Sequence, residues 1–155
     1  MGTRGAIGVR VNGKTKKHYN HWDSYPSGLG IAFLQDVLKL LKKLGQEKIA
    51  KKAEELKEFP DREATDEEVE RYRQYADEGV GSRDIHDFYV LLRETQGDLE
   101  AMLETGFHES VDAGIEYEYI WDLDRNCIHF HDHNEGVNER IPMEDIESTM
   151  TRWST

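Results

Sequence analysis

The chain has a single cysteine, Cys127, only three prolines among 155 residues, and no lysine after Lys57. One cysteine excludes an internal disulfide framework and any multi-cysteine zinc ribbon, and it predicts a reducing, cytoplasmic setting. Long apolar runs are missing too. The most apolar stretch, residues 31–44, is interrupted by Gln35, Asp36, Lys39, Lys42 and Lys43, so neither a membrane span nor a secretory leader is expected. Met1-Gly2 suggests acylation, but the acceptor pattern asks for Ser or Thr where this chain has Ala6. Gly28-Leu29-Gly30 lacks the third glycine of a dinucleotide fingerprint and the Lys-Ser/Thr of a P-loop. No cofactor is expected. Repeats and low-complexity linkers are absent, and 155 residues fit one domain, residues 1–155.

What is present is charge, unevenly placed. Acids outnumber Lys and Arg by 32 to 20, for a formal net charge of -12. Residues 1–60 hold twelve Lys or Arg against six acids, whereas residues 61–155 hold eight Arg against 26 acids. The second part has few cations with which to neutralise Asp66, Glu67, Glu68, Glu70, Asp77 and Glu78. Such a surface repels nucleic acid and attracts a basic protein. The plainer reading is that surplus acid keeps a small protein soluble and monomeric. Opposite charge on the two parts also allows copies to dock on one another as a homo-oligomer.

Residues 4–11 alternate Ile7, Val9 and Val11 with small or polar residues, and Asn12-Gly13 then suits a type I′ turn. A two-residue loop sets Val11 opposite Lys14 and Ala6 opposite Tyr19 on a return strand over residues 14–22, whose Lys and His predict a wet face. Beyond the Pro26 to Gly30 break, Ile31, Leu34, Val37, Leu38, Leu41 and Leu44 recur at helical spacing and define a core helix ended by Gly45. Ile49, Ala53 and Leu56 predict a second helix over residues 47–59, stopped by Pro60. Thr65 and Glu68 make a capping box for a third, with Tyr72 and Tyr75 inward; Ser82 caps a fourth, and Leu99, Met102 and Leu103 mark a short one ending near Gly106.

Period two returns at Tyr117, Tyr119, Trp121 and Leu123, and again at Ile128 and Phe130 beyond a turn at Asp124-Arg125-Asn126. Residues 137–141 predict a fifth strand and residues 142–150 a terminal helix. The expected fold is α+β: one antiparallel sheet built from an N-terminal and a C-terminal hairpin, packed against a central group of four or five helices.

Two groups of residues suggest chemistry. His129, His131 and His133 occupy alternate positions, so on a strand their imidazoles share a face, with Glu118 a carboxylate on the facing strand; that set suits a metal ion. A solvated polar face explains the same spacing without one. The segment Tyr19-Asn20-His21-Trp22-Asp23-Ser24-Tyr25-Pro26 gathers an imidazole, a carboxylate and a hydroxyl near a strand end. His18, His21, Asp23 and Ser24 are therefore the candidate catalytic set of a hydrolase, although triad members are rarely contiguous. The alternative is a turn tied by Asp23 and Ser24, with Trp22 and Tyr25 packed beneath it. Cys127, next to the turn at Asn126, is expected to be partly exposed and is not nominated as a nucleophile. Trp22, Trp121 and Trp153 are expected to be core or interface anchors.

The opening Met1-Gly2-Thr3-Arg4-Gly5-Ala6-Ile7-Gly8 and the run Tyr19 to Gly30, with Leu91 to Asp98 and Tyr117 to Asp124, resemble a group of small bacteriophage and prophage proteins. The resemblance implies a phage setting inside a host cell, where small acidic proteins include inhibitors of host defence, anti-CRISPR proteins among them. Together with the charge, it gives a first expectation of a non-enzymatic binding protein. Its acids at 66–78 would occupy a basic, nucleic-acid-binding surface of a host protein, such as a defence complex. The second expectation is a hydrolase or metal-dependent enzyme with a His/Asp site where the two hairpins meet.

Overall fold

The computed structural model describes residues 3–58, 65–67, 70, 96–107 and 114–155. Strands β1 (Gly5–Val11) and β2 (Lys14–Asn20) form the first hairpin. Asn12 and Gly13 both take positive φ, 51° and 77°, as the turn requires, and the register sets Val11 opposite Lys14 and Ala6 opposite Tyr19. Asp124, from the other hairpin, accepts hydrogen bonds from the amides of Asn12 and Gly13 at 2.7 and 2.9 Å. The Gly13 and Asn12 bonds hold its carboxyl below the usual carboxylate range.

After a single π-helical turn at Pro26–Gly30 come α1 (Ile31–Leu44) and α2 (Gln46–Glu55), separated by Gly45 at a φ of 84°. Helix α2 ends four residues short of the expected boundary, because Leu56 is already extended. Helix α3 (Leu99–Thr105) is capped by the Asp98 side chain. Strands β3 (Tyr117–Asp122), β4 (Cys127–Asp132) and β5 (Val137–Pro142) follow, and a short 3₁₀ turn leads into α4 (Ile146–Trp153).

The fold is α+β, with four helices and a five-stranded sheet in the order β2-β1-β3-β4-β5 among the described residues. One expectation is corrected: the sheet is mixed, because β1 and β3 pair in parallel while every other pair is antiparallel. The lysine-rich β2 stays at an edge, where charged side chains suit a strand with one free side. The chain then returns through helices to the free side of β1, and a strand re-entering at the end where β1 began must run parallel to it.

Ile7, Val9, Tyr119, Trp121, Ile128, Phe130 and Ile141 line one face of the sheet and pack with Phe33, Leu34, Val37, Leu40 and Ile49 of α1 and α2. Trp153 of α4 closes this core against Tyr119 and Phe130, with ring centroids 5.7 and 5.0 Å apart. Two expectations about polarity fail here. Lys16 and His18 share the face of Val9 and Ile7, and His18 is fully buried. Trp22 and Tyr25, expected beneath the turn, are 52% and 39% exposed.

Candidate functional site: the polar face of β3 and β4

Period two turns a different set of side chains to the other face of the sheet. Glu118 lies opposite His131, Ile120 opposite His129, and Asp122 opposite Cys127. Gly8 of β1 sits between Ile120 and Lys17, and without a side chain there the long Lys17 reaches over to Glu118, Nζ to Oε2 3.0 Å. Two shallow depressions flank Ile120. One, of about 330 Å³, lies where the two hairpins meet and takes in Lys17, Arg10, Asp122 and His129; the other, of about 480 Å³, takes in His131, Asn138 and Arg140.

Glu118, His131 and His133 converge at one end of this face, with one potential ligand atom from each, all within 4.8 Å of one another. Glu118 Oε1 is 2.5 Å from His133 Nε2, and the His131 and His133 rings stack at 3.8 Å. Burial alone would raise the carboxyl of Glu118, but the hydrogen bonds and charges of His133 and Lys17 outweigh it and hold it below its ordinary range. Two imidazoles and a half-buried carboxylate suit a first-row divalent ion.

At the other end Asp122, Cys127 and His129 form a second group, whose potential ligand atoms also lie within 4.8 Å of one another. His129 therefore does not join the expected row: its Nε2 is 2.9 Å from Asp122 Oδ2 and 3.6 Å from Cys127 Sγ. Both partners share one ring nitrogen, so the imidazole cannot hold Asp122 with one nitrogen while taking a proton from Cys127 with the other, as a triad needs. Cys127 is 5% exposed, a correction to its expected partial exposure, because it opens β4 directly opposite buried Asp122. Burial and the Asp122 charge push its thiol up, with Arg140 and Arg125 opposing.

The catalytic candidates of the first hairpin are not assembled in this way. Ser24 Oγ donates to Thr3 O at 2.7 Å and accepts from Asn20 Nδ2 at 2.9 Å, and the Ser24 carbonyl takes the Tyr119 hydroxyl at 2.8 Å. His21 Nδ1 faces the Tyr19 hydroxyl at 2.8 Å, and its backbone amide binds Gln96. His18 lies inside the core, and Asp23 is exposed at a positive φ of 50°, bonded to the Tyr25 hydroxyl. This segment therefore locks a turn over the end of the core. Of the acidic contact candidates, Asp66, Glu67 and Glu70 are exposed, while Glu68, Asp77 and Glu78 lie outside the described residues.

Sequence reasoning missed Asp122 and Lys17 as members of this face. Counting outward from the Asp124-Arg125-Asn126 turn sets Asp122 against Cys127 and beside His129, so the first was within reach. Lys17 arrives only through the pairing of β1 with β3. No protein-family model matches the chain, and no curated protein or solved structure is detectably similar to it.

Proposed function

We propose that this protein binds a divalent transition-metal ion on the polar face of its sheet through Glu118, His131 and His133. The observation that carries the reading is the convergence of the three ligand atoms within 4.8 Å, drawn from β3, β4 and the turn after it. The arrangement leaves room for water on the solvent side, because the His133 side chain is 36% exposed. An ion with three protein ligands and an open position can activate water for hydrolysis, so a metal-dependent hydrolase is the enzyme class this site would serve. Lys17, which already bridges β2 to Glu118, would position the carboxylate.

Calorimetric titration of the metal-stripped protein with Zn²⁺, Ni²⁺ and Mn²⁺ tests the reading. One ion per chain should bind at this site, and His131→Ala or His133→Ala should weaken it at least about tenfold, a loss that even outer-shell changes reach at metal centres. Binding unchanged in both variants would overturn it.

A second reading keeps the protein non-enzymatic and lets its acids occupy a basic surface of a host protein, as the phage resemblance implies. The exposure of Asp66, Glu67 and Glu70 favours it. Reversal of these three to lysine should weaken association with such a partner, more so at low salt.

A further inference from the structure

We infer that Asp122, Cys127 and His129 form a separate, thiolate-containing site for a zinc-like ion at the turn end of the β3–β4 hairpin. The inference is independent of the Glu118 site. Glu118 and Asp122 are four residues apart on one strand, roughly 13 Å at about 3.3 Å per residue, too far to share an ion.

Three features of the geometry point to a ligand set. First, the hairpin register places Asp122 and Cys127 directly opposite each other, with His129 two residues along the same face of β4. Second, one imidazole nitrogen, Nε2 of His129, faces both Asp122 Oδ2 at 2.9 Å and Cys127 Sγ at 3.6 Å. A tetrahedral ion with ligands at about 2.0 to 2.3 Å has edges of about 3.3 to 3.6 Å, so these two separations lie within a few tenths of an ångström of two such edges, and the third pair, Asp122 and Cys127, offers atoms within 4.8 Å. Third, the other Asp122 oxygen, Oδ1, accepts the Arg125 amide at 3.0 Å, the kind of outer hydrogen bond that fixes a ligating carboxylate.

The chemistry of the set selects the ion. Sulfur and nitrogen donors beside a carboxylate favour zinc or cobalt over magnesium or calcium, which prefer oxygen alone. Binding replaces the thiol proton with the metal–sulfur bond and releases that proton to solvent. Asp122 and Cys127 are 1% and 5% exposed, while the His129 side chain is 36% exposed, so the ion would enter past the imidazole and keep a fourth position toward solvent.

Titration of the reduced, metal-free protein with Co²⁺ tests this directly, because cobalt bound to thiolate gives a sulfur-to-metal charge-transfer band in the near ultraviolet. The band should saturate within two equivalents in the wild type and at one equivalent in the His131→Ala/His133→Ala double variant, which removes the other site. Cys127→Ser should abolish it, and His129→Ala or Asp122→Asn should weaken cobalt binding at least tenfold, with circular dichroism reporting that each variant is folded. Zn²⁺ should bleach the band and slow alkylation of Cys127 in the wild type, a readout that depends on no variant. Absence of the band in the folded wild type, its survival in Cys127→Ser, or its indifference to both His129→Ala and Asp122→Asn would overturn the site.

Discussion

Lys16 leaves the edge of the sheet to serve a helix. Its ammonium donates to the carbonyls of Ala53, Glu54 and Leu56 at 2.6, 3.1 and 2.9 Å, which gathers carbonyls at the C-terminal end of α2 onto one cation, the Ala53 oxygen also taking the Leu56 amide at 3.4 Å. Burial lowers its pKa and Lys14 adds to that, with Glu54 opposing. Lys16→Met keeps the packed stem but strands the carbonyls, and should lower stability by about 1 to 3 kcal/mol, read as a lower urea midpoint at unchanged slope. An unchanged midpoint would mean that water satisfies the end of α2 equally well. In the sequence Lys16 looks like one lysine among several in a wet strand. Period two assigns it to the face of Val9, but only the position of α2 reveals what it binds.

At the level of elements, α1 and α3 meet through an acid that helical spacing assigns to a solvated stripe. Asp36 Oδ2 accepts the Leu99 amide at 3.3 Å, and burial, followed by the nearby Asp98, pushes its carboxyl up to about 6. A raised folded pKa means that the folded chain holds this proton more tightly than the unfolded one. The contribution of Asp36 to stability is therefore best below about pH 4 and is progressively lost as pH rises through about 6. Asp36→Asn should raise the melting temperature at pH 7 and bring no gain at pH 4; equal gains at both would show that charge is not the cause.

The elements themselves were legible where local rules act alone. Asn12-Gly13 fixed the register of the first hairpin, although β2 ends at Asn20, two residues before the expected boundary, and α1 follows its apolar stripe from Ile31 to Leu44. The parallel pairing of β1 with β3 was not legible, because no local signal states which edge of β1 a distant strand will reach. The burial of Cys127 and the split of the histidine row, with His129 going to Asp122 and His131 and His133 to Glu118, follow from register across β3 and β4.

Across the whole molecule, charges that are separated along the sequence are partly brought together in space. Lys17, Lys43 and Lys52 from the basic part pair with Glu118, Glu100 and Glu104 from the acidic part. Exposed pairs are worth about 0 to 1 kcal/mol each, and the only one of the three that reaches β3, the partly buried Lys17–Glu118, joins it to β2, so these pairs are not what holds residues 5–11 to residues 117–122. Sheet pairing and the shared core do that, and Gly8 is where the closure is tightest. A Cβ there would lie 2.4 Å from the Lys16 carbonyl oxygen of β2 and 2.9 Å from Ile120 Cδ1 of β3, so the Ile120 methyl would turn aside but the backbone of β2 would have to yield. Gly8→Ala should cost about 1 to 3 kcal/mol, the usual scale of overpacking. It should also raise amide exchange in β1 and β3 together, because β1 is the strand that joins the two hairpins. Faster exchange confined to β2 would mean instead that the first hairpin opens while the parallel junction, and the polar face built on it, stays closed.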